Sequence, residues 1–141
     1  MTTRTDTDFI NFQEWADDAY ESGLLDKGDE AYGYGALAAL QRSIRDTGGL
    51  IPATFDLLGA GFHERYDDVG VALRQFDRPD LAALVELATR AFDELGRGED
   101  PSPRQERMHR ELDQRWVAEG GDRFIDELGR RLMERSGWEP G

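Results

Sequence analysis

The sequence predicts an all-α protein made of a single compact domain with six or seven helices. Apolar residues recur every three or four positions through most of the chain, which is the spacing of one helix face. No segment alternates apolar and polar residues for long enough to predict a strand, and no repeat of fixed period occurs. The 141 residues match one ordinary domain, and a hydrophobic content of 38% is sufficient for a buried core.

The first predicted helix has an apolar face and an acidic face, and it ends at Gly23. The apolar face is formed by Phe9, Phe12, Trp15, Ala16, Ala19 and Tyr20. The acidic face follows the i, i+3, i+4, i+7 pattern and is formed by Glu14, Asp17, Asp18 and Glu21.

A second helix is predicted over residues 30–46, and the doublet Gly48-Gly49 ends it. Gly33 and Gly35 lie near its start. Each glycine costs about 1 kcal/mol relative to alanine inside a helix. This predicts either fraying or close packing at the beginning of the second helix.

Glycines and prolines also delimit the middle of the chain. Pro52 suits the first turn of a short helix over residues 53–58, which Gly59 and Gly61 close. The next helix is predicted over residues 62–76, where apolar residues are spaced by 4, 3, 4 and 3 positions.

Pro79 marks the break after that helix. An apolar stripe over residues 81–95 predicts a further helix, with Glu86 and Arg90 as an i, i+4 ion pair on its outer side. Residues 97–103 are rich in polar residues and proline, and they predict a loop.

Two helices are predicted after this loop. Ser102 and Gln105 form a capping-box pattern with Pro103 at the first helical position. The apolar seam of this helix is formed by Met108, Leu112 and Trp116. Gly120 and Gly121 separate it from a last helix, whose apolar side chains are Phe124, Ile125, Leu128 and Leu132.

Charge is the strongest feature of the composition. Thirty acids against seventeen bases give a net charge of −13. Such a chain repels nucleic-acid phosphates and anionic lipids, so we expect no direct nucleic-acid binding and no membrane binding. The partners that it favours are basic surfaces or cations. A GC-rich genome or a salt-rich cytoplasm is the alternative explanation for this composition.

The acids are concentrated near the N-terminus. Residues 1–30 contain nine acids and two bases, a net charge of −7. About a fifth of the chain therefore carries more than half of the net charge of −13. A genome-wide bias would not concentrate the acids in this way. We therefore divide the chain into an acidic N-terminal helix, residues 1–28, packed on a helical domain, residues 29–137.

Covalent and targeting features are few. The chain has no cysteine, which excludes disulfides, thiolate metal sites and cysteine nucleophiles. The longest unbroken apolar runs, residues 36–40 and 81–85, are far shorter than a membrane span. The first residues lack the basic and then apolar pattern of a signal peptide. We expect a soluble cytoplasmic protein.

The motifs of catalytic and cofactor sites are missing from the sequence. The glycines at 59–61 lack the third glycine of a dinucleotide loop, and no phosphate-loop lysine motif occurs. His63 with Asp67, and His109 with Asp113, are i, i+4 pairs, but two residues do not complete a metal shell. No serine has the setting of a nucleophile elbow, and the adjacent carboxylates lie on polar helix faces. We expect a protein that is not an enzyme and binds no cofactor or metal.

Motifs of a known family occur in order along the chain. Gly48-Gly49 forms a glycine doublet, and the pattern Y-x-x-V-x-x-A-L follows at Tyr66, Val69, Ala72 and Leu73. A Leu-Ala-x-Leu-x-Glu helix that ends in phenylalanine comes next, at Leu81, Ala82, Leu84, Glu86, Ala88 and Phe92. Before the closing helix stand Leu112, Asp113 and Trp116. Together these motifs resemble the C-terminal-type domain of the DNA mimic protein nineteen family, over about residues 30–135. Thr47 and Leu50 differ from the asparagine and phenylalanine that family members usually have around the doublet.

The resemblance implies an all-helical protein whose carboxylates imitate the phosphates of duplex DNA. Such a protein occupies the DNA-binding face of a regulator or of another DNA-handling protein. Duplex DNA carries one charge per about 1.7 Å of its axis. Acids at i, i+3 or i, i+4 on a helix have Cβ atoms about 5–6 Å apart. A row of helical carboxylates therefore offers a DNA reader a comparably dense negative charge.

Two groups of acids are the candidate partner-binding residues. The first is the row formed by Glu14, Asp17, Asp18, Glu21, Asp26, Asp29 and Glu30. The second is the patch formed by Glu64, Asp67 and Asp68. An immunity or antitoxin-like protein that neutralises a toxin such as a nuclease would use the same acids. Both interpretations stay open at this point, as does the formation of a homodimer.

Overall fold

Seven α-helices and no β-strand make up the part of the protein that the structure describes, so the all-α prediction is confirmed. The structure is a computed structural model, and it describes residues 5–95 and 99–138. The helices are α1 (Asp6–Glu21), α2 (Glu30–Thr47), α3 (Leu50–Gly59), α4 (His63–Gln75), α5 (Pro79–Leu95), α6 (Pro103–Ala118) and α7 (Gly121–Ser136).

Helix α2 lies at the centre of the fold. It packs against α1, α3, α4 and α7, while α5 packs against α3, α4 and α6. Tyr34, Leu37 and Leu40 of α2 are fully buried. The Tyr66 hydroxyl of α4 lies 2.5 Å from the Thr54 hydroxyl of α3, in the same interior. One hydrophobic core therefore includes side chains from all seven helices.

The crossing of α1 over α2 brings two helix backbones into contact. A Cβ atom at Gly35 would lie 2.6 Å from the Tyr20 Cβ atom and 2.9 Å from the Ala16 carbonyl oxygen. Only glycine leaves room for this approach. Of the two alternatives predicted for the start of α2, close packing is therefore the observed one.

The turn between α2 and α3 is held by a side chain from α6. Gly48 ends α2 in the left-handed conformation, with φ of 102°. The Asp113 carboxylate of α6 accepts a hydrogen bond of 2.7 Å from the Ile51 amide, in the first turn of α3. A Cβ atom at Gly49 would lie 2.9 Å from the Asp113 carboxyl carbon, so the second glycine of the doublet admits this cap.

Local signals place most helix ends correctly. The predicted capping box at the start of α6 is present, since Ser102 and Gln105 bond each other's backbone amides. Thr5 and Asp8 form a second capping box at the start of α1, which the sequence analysis did not identify. Helix α3 begins at Leu50, three residues before its predicted start at residue 53. Gly49 precedes it with no capping side chain, so no local sequence signal marks this start.

One predicted ion pair is wrong. Glu86 of α5 pairs with Arg74 of the neighbouring α4, at 2.6 Å, and not with Arg90 on its own helix. The packing of α4 along α5 brings the Arg74 guanidinium to Glu86, which an i, i+4 rule within one helix cannot foresee.

Trp138, two residues after the end of α7, packs against the first helix. The Trp138 ring lies 5.5 Å from the Phe12 ring and 6.2 Å from the Trp15 ring, centroid to centroid. Among the residues described, no helix combines the length and the apolar character needed to cross a bilayer.

Candidate protein-interaction surface

The two predicted groups of acids lie next to each other in the fold. Lys27, in the segment between α1 and α2, lies 3.1 Å from Glu64 of α4. Asp68 of α4 accepts hydrogen bonds from the Tyr20 hydroxyl of α1, at 2.8 Å, and from the Tyr32 hydroxyl of α2, at 2.6 Å. These contacts join α1, the start of α2 and α4. We call the ten predicted carboxylates on these elements the acidic surface.

Half of the acidic surface is freely presented to solvent. These carboxylates are exposed, and they make no ion pair with any residue in the described ranges. They are Glu14, Asp18, Asp26, Asp29 and Asp67. An approaching basic protein would meet these five charges directly.

Asp17 departs from the sequence prediction, which placed it on the exposed face of α1. It is 6% exposed, because α1 packs on α2 so closely that the border between its two faces is covered. Its Oδ2 atom lies 2.5 Å from the Arg42 guanidinium of α2. Burial raises the pKa of Asp17, and the charge of Arg42 opposes that rise.

Cations from other elements neutralise part of the acidic surface. Arg42 also lies 2.8 Å from Glu21, and Arg65 of α4 lies 3.8 Å from the same carboxylate. Arg135 of α7 pairs with Glu30. With Lys27, four cations face ten carboxylates, so an excess of six negative charges remains. The sequence analysis missed all four, since each cation is far from its partner in the chain or on another helix.

The bond between Asp68 and the two tyrosines fixes one acid in place. Tyr20 is buried, and its pKa is raised by that burial and by the hydrogen bond to Asp68. The same two causes raise the pKa of Tyr32 to about 12. Both hydroxyls therefore stay protonated at neutral pH and donate to Asp68. The periodicity placed Tyr20 on the apolar face correctly but gave no sign of this acceptor.

The two histidine–acid pairs have separate environments. The His109 ring packs 5.4 Å from the Phe55 ring, and the Asp113 carboxylate is engaged by α3. The His63 ring lies 6.4 Å from the Phe92 ring, and no ion pair of Asp67 occurs in the described segments. No group of three or more histidine, aspartate or glutamate side chains that could hold a metal occurs in residues 5–95 and 99–138.

The chemistry of the acidic surface is that of negative charge held on helices and on the segment between α1 and α2. The resemblance to the DNA mimic protein nineteen family stays a prediction. Comparisons of the chain with models of protein families, with curated proteins and with solved structures find no match.

Proposed function

We propose that this chain is an acidic, non-catalytic interaction protein that imitates duplex DNA. It occupies the DNA-binding surface of a regulator or another DNA-handling protein in the cytoplasm, and so inhibits that partner. The observation that carries the proposal is the meeting of α1, the 22–29 segment and α4 in one acidic surface, through Lys27–Glu64 and Tyr20–Asp68.

Fixed carboxylate positions support imitation of a duplex. A DNA reader places its arginines and lysines to match phosphates that are held at regular positions. Helical backbone fixes Glu14, Asp18 and Asp67, and the two tyrosines fix Asp68. Because the helices already fix the backbone of these acids, a partner does not have to order that backbone on binding.

The salt dependence of binding is the first expected consequence. The affinity should fall steeply as salt rises, because salt screens the attraction between the exposed acids and the basic surface of the partner. The experiment is capture of the partner from native lysate on the immobilised full chain, with duplex DNA added as a competitor. Displacement of the captured protein by duplex DNA supports the proposal, and capture that neither salt nor DNA affects contradicts it.

A matched pair of variants tests the acidic surface itself. The first variant neutralises four exposed and unpaired acids of the surface, through Glu14→Gln, Asp18→Asn, Asp26→Asn and Asp29→Asn. The control neutralises four exposed acids on α5 and α6, through Asp93→Asn, Glu94→Gln, Glu106→Gln and Glu111→Gln. Both variants have the same net charge.

Only the surface variant should lose the partner. Equal losses in the two variants would mean that total charge and not this surface determines binding. The identity of the captured protein distinguishes imitation of DNA from an immunity-like function. A DNA-binding regulator supports imitation of DNA, whereas a toxin nuclease that duplex DNA does not displace supports an immunity-like function instead.

A further inference from the structure

A groove with a volume of about 270 Å³ lies between α1, the start of α2 and the end of α7. Most of its wall is apolar, and this part is formed by Phe12, Trp15, Ala31 and Leu132. We call it the Trp15 groove. A protein cavity of about 150 Å³ holds a benzene molecule, so the Trp15 groove has room for one leucine or phenylalanine side chain.

The Trp15 groove lies beside the acidic surface. Glu30, one of the ten acids, pairs with Arg135 of α7 at the rim of the groove, so the charges of these two exposed side chains cancel. Trp15 and Asp18 are three positions apart on α1, and side chains at this spacing have Cβ atoms about 5–6 Å apart on the same side of a helix. The Asp18 carboxylate is exposed. A basic protein that is attracted to the acids of α1 therefore meets the groove next to them.

The Trp15 side chain is held in position by rings of the chain itself. Its ring lies 5.7 Å from the Phe12 ring and 6.2 Å from the Trp138 ring, centroid to centroid. Phe12 is almost fully buried, whereas Trp15 is 39% exposed. Tryptophans that are packed in a fixed position contribute strongly to binding at protein interfaces. Because the wall is already formed, a partner does not have to order it.

Exposed apolar side chains are concentrated on the elements that carry the acids. Six large hydrophobic side chains are exposed in the described ranges, and three of them lie on α1 or on the 22–29 segment. These three are Ile10, Trp15 and Leu24. The acidic surface therefore offers apolar contacts as well as charge. A DNA reader uses both, since apolar side chains beside its arginines and lysines contact thymine methyl groups or insert between bases.

We propose that an apolar side chain on the DNA-reading surface of the basic partner docks in the Trp15 groove, while the basic residues around it face the acids of α1. The groove then takes the place that a base or a thymine methyl group has in the partner's complex with DNA. This inference rests on the proposed function, since it takes the partner to be a DNA-binding protein. It adds selectivity, because charge alone attracts every basic surface, whereas the groove favours a partner with an apolar side chain at the matching position.

Two peptides of equal charge test the groove. Each is a blocked pentapeptide with four arginines, and its central residue is leucine in one peptide and serine in the other. Both are titrated into the full chain, and the indole N–H resonance of Trp15 is followed by NMR. The leucine peptide should bind about fivefold more tightly and should shift the Trp15 resonance, because burial of its apolar side chain is favourable. Equal affinities, or a Trp15 resonance that does not respond to the leucine peptide, would overturn the proposal.

The salt dependence of the two peptides separates the apolar contact from the charges. Salt screens the arginines of both peptides equally, so both affinities should fall as salt rises. The ratio between the two affinities should stay constant within about twofold, because an apolar contact is not screened. A ratio that falls to one as salt rises would show that the difference is electrostatic, and it would overturn the docking of an apolar side chain.

A matched pair of variants fills the groove without a change of charge. Ala31 is half-buried in the groove wall, and Ala118 is exposed at the end of α6, which carries none of the ten acids. Ala31→Leu should reduce the preference for the leucine peptide to about twofold or less, whereas Ala118→Leu should keep it at about fivefold. Equal effects of the two substitutions would overturn the proposal. The peptide comparison on the unaltered chain decides independently if Ala31→Leu does not fold.

The outcomes for the groove and for the proposed function are distinct. If the two peptides bind alike but the four-acid surface variant still loses the captured partner, docking in the groove is wrong and the imitation of DNA by charge is supported. If the four-acid variant keeps its partner, the proposed function is wrong, whatever the peptides show.

Discussion

The substitution Gly35→Ala tests the crossing of α1 over α2, on which the position of the acidic surface depends. The added Cβ atom would lie 2.6 Å from the Tyr20 Cβ atom and 2.9 Å from the Ala16 carbonyl oxygen. Ordinary contacts between carbon atoms are about 3.5–4.0 Å, so the two helices have to separate by about 1 Å. Neither neighbouring atom can rotate away, since one is backbone and the other is a Cβ atom.

The magnitude follows from two opposing effects. Overpacking of this kind costs about 1–3 kcal/mol, and alanine returns about 1 kcal/mol of helix propensity. A contact this short places the overpacking cost in the upper part of its range. After the gain in helix propensity, we expect Gly35→Ala to lower the free energy of unfolding by about 1–2 kcal/mol. Gly70→Ala is the matched control, because a Cβ atom at Gly70 in α4 meets nothing within 4 Å. It should raise the free energy of unfolding by about 0.5–1 kcal/mol.

Urea denaturation followed by circular dichroism measures both variants. The two substitutions are chemically identical, so opposite signs can only come from their surroundings. Thermal midpoints should move in the same directions, by about 2–5 °C for each kcal/mol in a chain of this size. If Gly35→Ala stabilises the protein as much as Gly70→Ala does, the backbone contact between α1 and α2 is wrong.

Three further predictions concern individual side chains. The pKa of Asp80 is lowered to about 2, mainly by the hydrogen bond from Arg78. The stability that this pair contributes is present above the ordinary pKa of 3.8 and is lost as pH falls towards 2. The unfolding free energies of the wild type and of Asp80→Asn are measured in urea at each pH. The difference between them should disappear as pH falls from 3.8 to 2. Asp113→Ala should cost about 1–2 kcal/mol in the same assay through the loss of the α3 cap, and an effect within error would contradict that role. Tyr20→Phe and Tyr32→Phe should each cost about 1 kcal/mol, and the double variant should cost more than their sum because Asp68 then keeps neither donor. Strict additivity in that cycle would show that the two bonds to Asp68 are independent.

The helices could be predicted from the sequence because each one buries a single apolar face at regular spacing. The stripe of α4 and the capping box of α6 are local signals, and both occur where they were predicted. The start of α3 was placed too late, since Gly49 provides no capping side chain and Leu50 and Ile51 carry no start signal.

The acidic surface was less predictable, because its details depend on contacts between helices. Glu14 and Asp18 are exposed, as the α1 pattern indicates, but Asp17 lies at the border of the two faces and is buried by the approach of α2. Arg42 is 25 positions from Asp17, so no local pattern connects the two residues. The same holds for the tyrosine donors of Asp68.

The ring contact between Trp15 and Trp138 gives this protein an intrinsic optical probe of docking. Trp15 belongs to the helix that carries much of the acidic surface, and it is 39% exposed, whereas Trp116 is almost fully buried. A partner that binds to α1 changes the polarity around the Trp15 indole. The Trp116 indole keeps its buried surroundings and serves as an internal reference. Association can therefore be followed by tryptophan emission on the unlabelled chain, without a dye whose own charge would disturb an electrostatic interface.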